Sequence, residues 1–175
     1  MRISILLILI VFLNSCKKEE YTTEEKKQGN IVQKIIYNHG KITVSKTYES
    51  GILNTELIYD NGVIVKMYQY YSDRKTRSYS YLTKKPNHYV TKFYHKNKKT
   101  ASEGEGDYFK DKNLYLRRGT WIFYNNTGEP YSIYTFGHDG KNEYIQDEVI
   151  FDTVKNKIIK EVKFDPPILF EKEIK

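Results

Sequence analysis

Between residues 37 and 73 apolar and polar side chains alternate in short runs, and a tyrosine followed by a turn closes each run at a fixed interval. Tyr37-Asn38-His39-Gly40, Tyr48-Glu49-Ser50-Gly51 and Tyr59-Asp60-Asn61-Gly62 keep tyrosine and glycine in step. Tyr70 and Tyr81 continue the ladder without the glycines, giving a repeat of eleven residues. A short fixed period signals a stack of equivalent units. Asn-Gly between apolar runs is a strong hairpin signal, because both central positions of a type I′ turn need positive φ. Asn61-Gly62 fits it directly, and Ser50-Gly51 and His39-Gly40 fit it less closely. Two-residue loops at these sites predict Tyr37 opposite Ile42, Tyr48 opposite Leu53 and Tyr59 opposite Ile64. Strict alternation then collects Ile35, Tyr37, Ile42, Val44, Tyr48, Leu53, Leu57, Tyr59, Ile64, Tyr68 and Tyr70 on one face. The opposite face carries Thr43, Ser45, Thr47, Asn54 and Glu56, together with Ile36, Ile58, Val63, Val65 and Met67. β-forming residues packed on a half-buried pleated surface account for the ladder. Tyrosines kept in solvent for binding are the minority expectation.

Beyond Tyr70 the pattern loosens. Ser72-Asp73-Arg74 replaces the glycine turn, and Lys84-Lys85-Pro86-Asn87 makes a longer connection between strands at 68–82 and 88–95. A turn at 94–98, a strand at 101–106 and a strand at 119–124 leading into Asn125-Asn126-Thr127-Gly128 form a second block. After a turn at 137–140, residues 143–154 and 158–164 read as a closing hairpin about Lys155-Asn156. Pro166-Pro167 ends that hairpin, and residues 168–175 are left for a short edge strand. No helical period occurs after the first fifteen residues. The expected fold is an all-β antiparallel meander of repeated β-hairpins, with Gly40, Gly51, Gly62 and Gly128 as the turn-forming repeat positions.

The run from Phe93 to Phe136 resembles tandem MORN-variant repeats, relatives of the membrane occupation and recognition nexus motif. The likeness rests on its Tyr-x-x-Asn-Lys, Ser-Glu-Gly, Gly-Thr-Trp-x-Phe-Tyr and Asn-Thr-Gly elements, and it extends over about residues 31–136. It implies hairpin units stacked into an elongated antiparallel sheet. Bacterial proteins with such repeats are commonly labelled antitoxins of toxin–antitoxin systems. The Gly-x-Trp element occurs once, at Gly119 to Trp121, and the middle units have lost their glycines.

Composition changes the picture at the amino terminus. The chain has 175 residues, with 17 Tyr and 8 Phe against 4 Pro and 10 Gly, which is β-rich and ordered. Arg2, an apolar run over residues 3–12 and Leu13-Asn14-Ser15 before Cys16 resemble a bacterial lipoprotein signal with its lipobox. The apolar run is short of the roughly 20 residues a membrane span needs. The resemblance implies removal of residues 1–15, lipidation of Cys16 and anchorage in the cell envelope, in the outer membrane, with surface exposure a further expectation. Residues 16–30, charged and nearly free of apolar side chains, are expected to be a flexible tether. Lys17-Lys18-Glu19-Glu20 resembles the charged export signal of surface-exposed lipoproteins. Residues 31–175 are then the β-repeat domain, repeat-like over 31–136 with a carboxy-terminal hairpin over 137–175. Cys16 is the single cysteine, so disulfide, thiol and cysteine–metal chemistry are excluded from the folded domain.

Charge is the most informative chemical feature. The formal net charge is +7, and loss of Arg2 with the signal leaves +6 for the mature chain. Residues 66–99 hold Lys66, Arg74, Lys75, Arg77, Lys84, Lys85, Lys92, Lys96, Lys98 and Lys99 against Asp73 alone. That block is +9 and the remainder of the mature chain is −3. Tyr68, Tyr70, Tyr71, Tyr79, Tyr81, Tyr89 and Tyr94 are interleaved with it. Cations beside aromatic faces suit a polyanion, so these basic residues with Tyr81 and Tyr94 are the candidate binding set. An envelope address favours an acidic glycan, lipid head group or acidic protein over nucleic acid. Basic residues on sheet edges also deter aggregation.

Signals for catalysis are weaker. His39, His88, His95 and His138 share no metal-ligand spacing, and there is no Gly-x-Ser-x-Gly elbow. No metal and no cofactor is expected. Glu103, Glu105 and Asp107 alternate onto one strand face, where a glycan-hydrolysing carboxylate pair competes with plain solvent exposure. The sequence therefore favours a membrane-anchored, non-enzymatic binding or scaffold module. An immunity or antitoxin protein and an envelope glycan hydrolase are the alternatives.

Overall fold

The computed structural model describes residues 20–155 and 157–170. The signal over residues 1–15, Cys16, Asn156 and residues 171–175 lie outside the described residues. The fold is all-β: twelve antiparallel strands in one sheet, ordered β1 to β12 as in the chain. They run β1 Tyr21–Gln28, β2 Ile31–Asn38, β3 Lys41–Glu49, β4 Ile52–Asp60, β5 Val63–Tyr70, β6 Thr76–Lys84, β7 His88–Tyr94, β8 Thr100–Phe109, β9 Leu114–Tyr124, β10 Pro130–His138, β11 Glu143–Asp152 and β12 Lys157–Leu169. Among the described residues, the single helical turn is a 3-10 turn at Lys110–Lys112. Successive turns alternate between the two ends of the sheet. We call the end holding the β3–β4, β5–β6, β7–β8 and β9–β10 turns the near end, and the other the far end.

The turn chemistry is as the residues dictate. His39 and Gly40, Ser50 and Gly51, and Asn61 and Gly62 all have positive φ, between 47° and 79°, the type I′ requirement. Tyr37 pairs with Ile42, Tyr48 with Leu53 and Tyr59 with Ile64. One residue further into each strand the register shifts. Ile36 pairs with Val44, Thr47 with Thr55 and Ile58 with Lys66, so Thr43, Asn54 and Val65 are extra residues in three β-bulges. Each repeated tyrosine stands beside one of these bulges.

Those bulges correct the predicted single tyrosine face. Directly paired residues share a face, and Ile35, Ser45, Leu57, Met67, Ser80, Thr91 and Gly104 form one continuous row. Ile36, Val44, Ile58, Lys66, Tyr81 and Val90 form a row on the opposite face. Tyr37 and Tyr59 belong with the first, whereas Tyr48, Tyr68, Tyr70 and Tyr79 belong with the second. An odd repeat combined with one extra residue per hairpin sends alternate tyrosines to opposite sides.

The first face is the inner one. It is lined by small buried polar residues, several of them bonded across strands: Thr91 donates to Ser80 at 2.7 Å, Gln33 to Ser45 at 3.0 Å and Ser78 to Gln69 at 3.2 Å. Larger side chains cover this floor. Tyr89 is buried and donates to the Ile64 carbonyl at 2.7 Å. The apolar core gathers in β9 to β11, where Trp121, Phe136 and Ile145 are buried against Phe93, Tyr115, Phe123, Tyr134, Phe164 and Phe170.

Two further expectations are corrected. Tyr21–Gln28, read as tether, is a fully exposed strand in complete register with β2. An edge strand needs ladder hydrogen bonds but no apolar period; Glu25 meets Lys34 at 3.3 Å, and Tyr37 donates to Glu24 at 2.7 Å. Pro166-Pro167 does not end the closing hairpin either, because β12 runs on to Leu169. The register there steps from Asp147–Lys163 to Ile145–Ile168, so both prolines sit in an irregular stretch of the outermost strand, where no amide is required.

Candidate functional site

Within the basic block, the parity of the turns decides which cations converge. The β5–β6 and β7–β8 turns lie side by side at the near end, tied by a hydrogen bond from the Tyr71 hydroxyl to the Tyr94 carbonyl at 2.7 Å. On the outer face below them Tyr68 pairs with Tyr79. The rings of Tyr70, Tyr68, Tyr79 and Tyr81 follow one another at 6.4, 4.9 and 5.8 Å, tilted by no more than 32°. Beside them Tyr68, Tyr79, Tyr94, Thr76, Arg74, Lys75 and Lys98 line an open hollow of about 540 Å³. Lys75 is paired with Asp73 at 3.0 Å. Neither Arg74 nor Lys98 has a carboxylate partner among the described residues.

The other members of the predicted set are dispersed. Lys66 pairs across the ladder with Tyr81 on the same face, and Arg77 is exposed in the bulge between Thr76 and Ser78. Lys92 is bound to Glu103 at 2.7 Å. Lys96 lies 6.0 Å from the Tyr71 ring centre, and Lys99 donates to the Thr127 carbonyl at 2.6 Å. Lys84 and Lys85 stand at the far end, remote from the hollow. Gly128 occupies its turn with φ 91°.

Burial, followed by the adjacent Tyr79, raises the phenol of Tyr68, and burial followed by its bond to Glu56 raises that of Tyr70. The Tyr70 proton is spent on Glu56 at 2.9 Å. Burial and then Glu103 push Tyr124 up to about 12, while burial and then Tyr108 push Tyr89 up to about 12. A phenol whose folded pKa lies above its unfolded value contributes full stability below about pH 10 and loses it as pH rises towards 12. Chemical denaturation at stepped alkaline pH, read against tyrosinate absorbance, is expected to show stability falling across that window. A flat profile would contradict the burial of these rings.

The three carboxylates on β8 do share one face, opposite Lys92, Val90 and His88. Each is already engaged. Glu103 is held below the usual carboxylate range by Lys92 and then by the Tyr124 hydroxyl at 2.7 Å. His88 bridges the other two, with Nδ1 2.9 Å from Asp107 and Nε2 3.1 Å from Glu105. Both contacts are hydrogen bonds when the ring donates from both nitrogens. His138 reaches across β9 to Asp107 at 3.0 Å, while its Nδ1 accepts from the Gly140 amide. Arg118 adds a contact at 3.5 Å. Asp107, only 8% exposed, is thus the knot that fastens the β10–β11 turn to β8. Short-range ligand spacing could not reveal it, because its members are cross-strand neighbours; the register set by the β7–β8 turn places His88 opposite Asp107. Among the described residues, no group of three or more His, Cys, Asp or Glu is arranged to hold a metal ion. His39 takes the first position of its turn, and His95 contacts the Tyr124 carbonyl at 2.9 Å.

No family model and no curated protein sequence matches the chain. Among solved structures, it is similar to a mutant form of S. aureus TarM at 10% identity and a TM-score of 0.29, covering 81% of this chain and 21% of that one. It therefore spans about a fifth of TarM. A protein of unknown function from Bacteroides fragilis NCTC 9343 is similar at 13% identity and a TM-score of 0.19, covering 85% and 94% of the two chains. A DUF3836 family protein from Parabacteroides distasonis ATCC 8503 follows at 10% identity and a TM-score of 0.14, covering 83% and 90%.

Proposed function

We propose that this chain is a non-enzymatic binding or scaffold module of MORN-like repeats, held on the envelope membrane by lipid on Cys16, that recognises an anionic partner through its outer tyrosine face. The observation that carries this reading is the hollow at the near end. Two cations without carboxylate partners among the described residues stand there beside the side chains of Tyr68, Tyr79 and Tyr94. Long-range attraction brings an anion to such a surface, and short-range hydrogen bonds from charged donors hold it. The form of the sheet agrees: a repeat ribbon offers extended surface, which suits partner recognition.

The test uses the full-length protein in detergent micelles and isolated envelope fractions. Retention is expected to weaken steeply as salt is raised, and charge reversal at Arg74 and Lys98 to remove most of it. Retention that ignores both salt and charge reversal would overturn the reading.

A further inference from the structure

We infer that the near-end hollow is a receptor site for an acidic sugar residue of a glycan, and that Arg74 and Lys98 occupy strained turn positions because they serve it; this rests on the binding reading above. The argument begins with three equivalent turns. Tyr71 N–H donates to the Lys75 carbonyl at 2.8 Å and Arg74 N–H to the Tyr71 carbonyl at 2.9 Å. The same two bonds recur at His95–Lys99 and Lys98–His95, both 2.8 Å, and at Asn125–Glu129 and Gly128–Asn125, at 2.9 and 3.0 Å. The residue before the last in each turn is left-handed: Arg74 has φ 65°, Lys98 φ 70° and Gly128 φ 91°.

A left-handed residue in a three-residue hairpin loop is ordinarily glycine, since a Cβ is disfavoured there. The third turn obeys that rule and the first two break it. Nothing in the turns themselves calls for a cation. Their supporting bonds, from the Lys75 amide to Asp73 and from the Lys99 amide to Asn97, come from neighbouring residues and would survive with glycine. Strain kept at two equivalent positions, both lining one hollow, points to use of the side chains.

The lining then narrows the ligand. Its polar groups are three cations, one threonine and three tyrosines, without a carboxylate. A bare inorganic anion would need the cations alone. Tyrosine rings offer flat apolar surface with a hydroxyl at the tip, which matches a ligand with an apolar face and hydroxyl edges. A pyranose bearing a carboxylate or sulfate has both, together with the negative charge that Arg74 and Lys98 require. The volume lies within the range of ordinary small-ligand sites, roughly 300–1,000 Å³.

The experiment is calorimetric titration of the full-length protein in micelles with a uronate oligosaccharide, a sulfated oligosaccharide and an uncharged oligosaccharide of equal length. Inorganic sulfate, poly-glutamate and single-stranded DNA serve as competing classes. Acidic oligosaccharides are expected to bind and the uncharged one not, with the uronate and sulfated arms showing which acid group is preferred. In R74G and K98G, Tm is expected to rise by about 2–4 °C for each strained turn relieved, while affinity for the acidic sugar falls at least about tenfold for each cation lost. Variants that gain stability and lose the sugar separate a binding role from a folding one. Unchanged affinity in R74G/K98G, or no gain in Tm, overturns the assignment. Tighter binding of poly-glutamate or DNA than of either sugar also overturns it, while leaving the broader anion-binding reading in place. If the wild-type protein binds none of the anionic probes, that broader reading falls as well.

Discussion

Replacing Trp121 with alanine is expected to cost about 3–5 kcal/mol of folding stability, the range for removing a large aromatic from a packed core. Trp121 is completely buried, and it closes the inner face where the small-residue floor reaches Gly104. A Cβ at Gly104 would come within 2.5 Å of the indole carbons, so the ring sits on bare backbone. Its Nε1 donates to the Glu105 carbonyl at 2.8 Å, and Phe93 and Phe123 flank it at 6.0 and 6.4 Å between ring centres. Truncation removes the apolar area, opens a cavity over the glycine and deletes the bond to the Glu105 carbonyl. Since small domains are stable by only about 5–15 kcal/mol, the loss would be a large fraction of the whole. Guanidinium unfolding checks it, and a difference below about 1 kcal/mol would mean that the floor is held by something other than this ring.

Glu143→Ala is expected to be comparably severe, at about 3–5 kcal/mol, because it strands a buried charge. The Glu143 side chain is 3% exposed and that of Arg117 14%. One carboxylate accepts three bonds from Arg117: the backbone amide at 2.5 Å, Nε at 3.2 Å and Nη2 at 2.8 Å. The guanidinium lies 4.2 Å from the Phe136 ring centre and 4.1 Å from that of Phe170, so aromatic rings occupy much of the space around the charge that loses its acceptor. The sign of the effect is testable in a second background. Arg117→Met removes the charge that Glu143→Ala leaves behind, and the double variant is expected to recover part of the loss, as buried pairs replaced on both sides often do. A double variant no better than the single one would locate the cost in shape alone.

The turns were legible in the chain because their chemistry is local. Asn61-Gly62 and its relatives need positive φ, and this need shows in the residue types themselves. The bulges were not legible: Thr43, Asn54 and Val65 are ordinary strand residues with nothing to mark them as extra. Yet they too recur every eleven positions, in step with the tyrosines. β1 escaped notice because an edge strand can be wholly polar. At the candidate site, the basic block was visible as composition, but its convergence was a matter of geometry. Arg74 and Lys98 belong to turns at the same end of the ribbon, whereas Lys84 and Lys85 belong to the intervening turn at the opposite end. Counting turns by parity would have separated them.

Each strand packs chiefly on the strands before and after it in the chain, and no second layer covers the sheet among the described residues. Such a ribbon has few ties between strands that are not neighbours in the chain. A load applied to β1 would therefore peel the molecule like a zip, freeing one strand at a time from that edge until it met the aromatic-rich hairpins around Trp121. Those hairpins would act as the brake, and the extension trace would show many small steps before one large one.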